Sequence, residues 1–126
     1  MQRVGQRFRD LQVWAEAVDL ARAVYLFTRR FPADERFGLT AQMRRAAVSV
    51  PSNIAEGSVR RSRRQFAIYL EIALGSLAEL ETQLIIAADF AGNSAERNDV
   101  EQRVDRVRRM LYGLLNAVRP SVQRSG

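Results

Sequence analysis

The sequence contains no cysteine, no histidine and no lysine. Without thiolates or imidazoles there is no zinc site of the Cys and His kind. Ser-His-Asp triads, Cys-His pairs and redox Cys-x-x-Cys chemistry are excluded for the same reason. A chain with no disulfide framework fits a reducing compartment, so a cytoplasmic location is expected. Three prolines and seven glycines in 126 residues are too little punctuation for many short strands. No run of about 18 uninterrupted apolar residues occurs, so no membrane-spanning helix and no membrane partner are expected. The N-terminal MQRVGQRFRDLQVW has no apolar stretch of signal-peptide type.

What is present is one domain's worth of chain with 47% apolar residues, enough for a continuous core. We expect an N-terminal extension over 1–9, a folded domain over 10–119 and a flexible tail over 120–126. All 20 basic residues are arginine and the net charge is +6. Arginine codons of a GC-rich genome are one reading of that bias. The other is that guanidinium forks match phosphate better than ammonium does. The charge is segregated. Residues 36–64 carry seven arginines against Glu56 alone, and 102–126 carry six against Asp105. Residues 65–101 reverse this, with seven acids against Arg97. Segregated charge can steer a partner, whereas uniform charge only aids solubility.

Apolar spacing predicts four helices and no strands. The first should start with Asp10 as cap and run to about Arg30. It shows two stripes, Leu11-Trp14-Val18-Ala21-Tyr25 and Val13-Ala17-Leu20-Val24-Phe27, and two stripes imply two packing partners. Phe31-Pro32 should close it. The second spans about Gly38 to Gly57, with Leu39, Met43, Ala46, Ala47, Val50 and Ile54 on one face. Pro51 lies inside it and should kink it, or break it into two shorter helices. The third opens with a capping-box pattern at Ser62 to Gln65 and should stop at Gly92. Its seam is Phe66, Leu70, Ala73, Leu77, Leu80, Leu84 and Ala88, with Ile68, Ile72, Leu74, Ile85, Ile86 and Phe90 left over. The fourth, capped by Asn93 or Ser94, repeats Val100, Val104, Val107, Leu111, Leu114 and Val118 and ends before Pro120. Short connections predict an all-α, antiparallel up-down-up-down four-helix bundle. The surplus apolar stripes predict a homo-oligomer.

Two polar features stand out. Gln42, Arg45, Ser49, Asn53 and Glu56 share one face of the second helix, bordering its apolar face. Ser76, Glu79 and Gln83 form a similar line on the third, with Glu81 close to its core side. A structural polar network is expected there, with Arg45 paired to a glutamate of the third helix. A lined cavity that takes a ligand and simple solvent exposure are the alternatives. Glutamates on bundle helices can hold two metals only with Glu-x-x-His pairs, and histidine is absent. Glu79 or Glu81 as an acid or base lacks any companion nucleophile. We therefore expect no enzyme, no cofactor and no metal.

The second feature is Arg60, Arg61, Arg63 and Arg64 in the turn between helices 2 and 3. It precedes a helix N-terminus, which favours anions. Arg44 and, on the fourth helix, Arg103, Arg106 and Arg109 are expected to extend this nucleic-acid-binding patch; Arg108 lies beside them. A charge run of this kind is otherwise just a solvated turn. No aromatics interleave the arginines, so phosphate contacts with little base readout are expected.

Several motifs occur together: Phe31-Pro-Ala-Asp-Glu-Arg-Phe-Gly-Leu39, Gln42-Met-Arg-Arg-Ala-Ala47, Ser49-Val-Pro-Ser-Asn-Ile-Ala-Glu-Gly57 and Ala73-Leu-Gly-Ser-Leu-Ala-Glu-Leu-Glu81. Over about residues 8–118 the chain resembles the four-helix bundle proteins named for intervening sequences of bacterial 23S ribosomal RNA genes. The accessory variability proteins of diversity-generating retroelements look like a related branch. The resemblance implies a four-helix bundle assembled as a homopentameric barrel, with basic patches gathered in a ring. It implies RNA as a partner and, in the retroelement branch, a reverse transcriptase. Gln42, Arg44, Arg45, Ser49, Asn53, Glu56, Gly57, Ser76 and Glu79 match the family pattern, most of them as structural glue.

Overall fold

A computed structural model describes residues 11–91 and 94–119. They form four helices: α1 (Gln12–Thr28), α2 (Leu39–Ser58), α3 (Arg63–Ala91) and α4 (Ala95–Val118), with a 3-10 turn at Ala33–Glu35. The expected extension, tail, Asp10 cap and Gly92 stop lie outside the described residues.

The ends of the helices follow from local chemistry. α1 begins at Gln12 with Leu11 in the cap position and no side-chain cap bond. It also ends earlier than expected, at Thr28, whose hydroxyl donates to the Val24 carbonyl at 2.8 Å. Arg29 and Phe31 then bond back to Leu26 and Thr28 as single turns. Glu35 reaches forward, its carboxylate accepting the Leu39 amide at 3.2 Å at the start of α2. Ser62 Oγ accepts the Gln65 amide, and Ser94 Oγ accepts the Arg97 amide, both at 3.0 Å. These are half of the anticipated capping box and the serine cap of α4. α2 runs unbroken through Pro51, which rules out two shorter helices.

Each helix packs its backbone against two neighbours, in the ring α1–α2–α3–α4, and among the described residues no Cα atoms of diagonal helices come within 8 Å. Cross-helix partners run in opposite senses. Glu16 meets Arg106 while Arg30 meets Glu96, and Glu81 meets Arg108 while Arg63 meets Val118. Adjacent helices are therefore antiparallel, and the α2–α3 turn shares one end of the bundle with the end of α4.

One stripe from each helix closes the core. α1 gives Val13, Ala17, Leu20, Val24 and Phe27; its other stripe is largely a flank, with Tyr25 exposed. α2 gives Met43, Ala46, Ala47, Val50 and Ile54, and α3 gives Leu70, Ala73, Leu77, Leu80, Leu84 and Ala87. On α4 the buried residue of the penultimate step is Leu115, and Leu114 is only partly buried. A straight helix drifts about 20° per heptad against a strict seven-residue repeat, which moves the seam by one position. Each fully buried leucine contributes about 1.5–3 kcal/mol.

Candidate nucleic-acid interface

The antiparallel topology divides the anticipated arginine patch into three separate places. Arg60, Arg61, Arg63 and Arg64 sit at the α2–α3 end. Arg44 lies sixteen residues before Arg60 on α2, roughly 24 Å away along the helix. Arg103, Arg106 and Arg109 lie on the middle turns of α4. The single patch expected from the sequence is thus not formed within one subunit.

The arginines also differ in what already holds them. Arg60 Nη2 donates to Glu56 Oε2 at 2.8 Å and to the Tyr69 hydroxyl at 2.9 Å, with its guanidinium 4.9 Å from the Tyr69 ring centroid. Arg63 Nε and Nη2 donate to the carbonyls of Val118 and Ala117 at 3.1 and 2.6 Å. That cation satisfies acceptors at the C-terminus of α4, where the helix dipole favours positive charge. Arg44 Nε donates to Thr28 Oγ1 at 2.9 Å while its guanidinium stacks over Tyr25 at 4.5 Å. Arg103 pairs with Asp99, Arg106 with Glu16 and Arg109 with Asp105. Arg61 and Arg64 are exposed and have no hydrogen bond, ion pair or ring contact among the described residues.

Arg108 belongs to the framework. It bridges Glu81 of α3 at 2.7 Å and Asp105 at 2.9 Å. The Glu81 hydrogen bond is the main cause that holds its pKa above the ordinary arginine value, with partial burial opposing. A raised value in the folded state gives stability that is lost only as pH climbs past it. This bridge is therefore insensitive to pH across the neutral range.

The polar network is smaller than the sequence stripe. Ser49 Oγ and Ser76 Oγ are 2.8 Å apart, and Asn53 Nδ2 donates to Ser49 Oγ and to the Ser49 carbonyl, both at 2.9 Å. Glu56 joins Arg60 instead. The expected pairing of Arg45 with an α3 glutamate is absent: among the described residues Arg45 and Glu79 have no ion pair, and both are exposed. Both line an open cleft of about 820 Å³ that runs over α2. Gln42, Arg44, Ser49 and Gln83 also line it, and Tyr25 enters from α1. The Gln83 Oε1 atom is buried there without a partner. A smaller, mostly apolar groove of about 410 Å³, lined by Val18, Ala21, Leu26, Val48 and Pro51 with Tyr25, Arg22 and Arg29, follows α1 and α2.

Three features were not read from the sequence. They are the Arg63 clamp, the Arg44–Tyr25 stack and the orphan Gln83 oxygen. Each depends on which residues of different helices face one another. The spare position of Tyr25, on the Leu11-to-Tyr25 stripe of α1 that forms little of the core, was the available signal for the stack.

Among the described residues no group of three or more acids can hold a metal ion. No described helix is long and apolar enough to cross a membrane. A search of curated proteins finds no match to this chain. The profile of the 23S rRNA-intervening sequence proteins matches residues 9–113, which takes in α1 through most of α4. With four helices and a match over most of its length, the chain belongs to the 23S rRNA-intervening sequence protein family.

Proposed function

We propose that the protein is a non-enzymatic, homo-oligomeric nucleic-acid binder whose first ligand is structured RNA. The observation that carries this reading is the pair Arg61 and Arg64. They stand exposed and unpartnered at one end of a chain of net charge +6. A phosphate arriving there breaks no existing ion pair and releases counterions. The α4 arginines join only by exchanging carboxylate for phosphate, which is cheap at a surface where such pairs are worth about 0–1 kcal/mol. Membership in a family named for 23S rRNA intervening sequences supports RNA over DNA as the ligand to try first.

Exposed Ile68, Ile72, Ile85 and Ile86 on α3, with Tyr25, Leu26 and Val48 on α1 and α2, support self-association. A pentamer is the assembly implied by the resemblance, and it would bring five copies of the Arg61–Arg64 end together. The cytoplasm is the compartment in which such a ligand is met.

The test is a gel shift with total cellular RNA across a salt series. The two free arginines predict a log–log slope steeper by about 2 for each subunit engaged than in the Arg61→Ala, Arg64→Ala variant. An unchanged slope and affinity in that variant overturn the reading. The exposed apolar residues also favour a second reading, an adaptor for a polypeptide such as a reverse transcriptase. Pull-down from nuclease-treated lysate separates the two, since only an adaptor keeps its partner.

A further inference from the structure

We propose that the cleft over α2 and α3 reads an unpaired guanosine of the RNA, with Glu79 on the base edge and Arg45 on the phosphate. The inference rests on the RNA reading above and adds base selectivity to it.

The register is fixed by the Ser49–Ser76 contact. One turn further along the antiparallel pair, Arg45 comes opposite Glu79, and the next step sets Gln42 opposite Gln83. All four line the cleft. Among the described residues none of the four side chains has a hydrogen bond or ion pair. Elsewhere the surface behaves differently: nine arginines each hold a carboxylate within 4.0 Å. Arg61 and Arg64 are likewise unpaired, but the cleft sets an unpaired guanidinium and an unpaired carboxylate on facing helices, beside a buried acceptor without a partner.

A free carboxylate on an RNA-binding surface repels phosphate. It is favourable only where it accepts hydrogen bonds from a base. Guanine alone sets two N–H groups, N1–H and N2–H, side by side on its Watson–Crick edge, matching the two oxygens of Glu79. Adenine, cytosine and uracil each offer one donor nitrogen on that edge. The second N2–H of guanine is the donor that Gln83 Oε1 lacks. Arg45, with its whole fork unoccupied, takes the phosphate in the bidentate manner of arginine. Thr28 and Tyr25 hold Arg44 at the rim, so Arg45 is the side chain left to make this contact.

The experiment is fluorescence anisotropy of the full-length protein with three labelled oligomers. One is all uridine, one carries a central guanosine, and one carries inosine there, which lacks the N2 amino group. The guanosine oligomer is expected to bind about tenfold tighter than the other two. Glu79→Gln should abolish that preference. Arg45→Ala should weaken all three. Both residues are exposed, and circular dichroism checks that the variants fold. Equal, salt-sensitive binding of all three oligomers overturns this inference and leaves the RNA reading standing. Loss of all binding, including to total RNA, overturns both. Thermal coupling between Arg45→Ala and Glu79→Gln without base discrimination means that the two residues serve only each other, and also overturns it.

Discussion

Gly57 is the position at which a single atom decides how closely α2 and α3 pack. A Cβ there would lie 2.7 Å from Tyr69 Cβ and 2.9 Å from Phe66 Cδ1. Tyr69 Cβ is fixed to the α3 backbone, so relief requires the helices to part. Gly57→Ala should therefore cost about 1–3 kcal/mol, seen as a lower denaturation midpoint. At Gly75 and Gly113 an added Cβ meets nothing within 4 Å. Alanine at either should raise stability by up to about 1 kcal/mol through helix propensity. If Gly57→Ala proves as stable as Gly75→Ala, the close packing described here is wrong. Arg63 makes the same point for a charge. It looked like a ligand-binding arginine in the sequence run, yet its two bonds hold the end of α4. Arg63→Ala should lower the thermal midpoint with little change in the salt slope of RNA binding, the reverse of Arg61→Ala, and the two measurements on both variants check it.

At the scale of the helices, most of the core was legible because burial obeys the helical period. One predicted stripe of α1 and most of the predicted α2 face are buried, with Leu39 only partly so; α3 buries Ala67 and Ala87 where Phe66 and Ala88 were expected, and α4 buries Leu115 in place of Leu114. Helix ends were less legible, since Thr28 and Leu11 end α1 by backbone turns that leave no compositional mark. The spatial spread of the arginines was not legible in composition, because residues on different helices need not lie at the same level of the bundle. An up-down topology already separates Arg44 from Arg60 by most of the length of α2. The polar contact between α2 and α3 was partly legible: the stripe named Ser49, Asn53 and Ser76, and the hydroxyl pair sits at their crossing. Ser76 is buried, so removing the Ser49 hydroxyl strands it, whereas Ser49 keeps the Asn53 amide when Ser76 is removed. Ser49→Ala or Ser76→Ala alone should cost about 1–3 kcal/mol, whereas the double variant should cost clearly less than their sum. Denaturant titration of the three variants measures the coupling, and strict additivity would show that the contact carries no energy.

For the whole molecule, the balance between self-association and RNA affinity follows from where the apolar and basic surfaces lie. Ile68 and Ile72 are about half exposed on the first turns of α3, next to the Arg61–Arg64 end. Covering them with another subunit would set basic ends near one another. Repulsion between like charges opposes that, and a polyanion bridging them relieves it. Association and RNA binding should thus be linked: RNA strengthens the oligomer, and the oligomer steepens the salt dependence by engaging more arginines at once. Ile68→Glu with Ile72→Glu tests this without touching the core, because neither side chain belongs to the buried set. The variant should keep its helical circular dichroism, sediment as a smaller species, and bind RNA more weakly with a shallower salt slope. Two negative charges beside the patch would by themselves lower affinity, so Ile68→Gln with Ile72→Gln serves as the neutral companion. A neutral variant that sediments as a smaller species yet keeps the full affinity and slope would show that each subunit binds RNA alone, and the linkage between assembly and ligand would be gone.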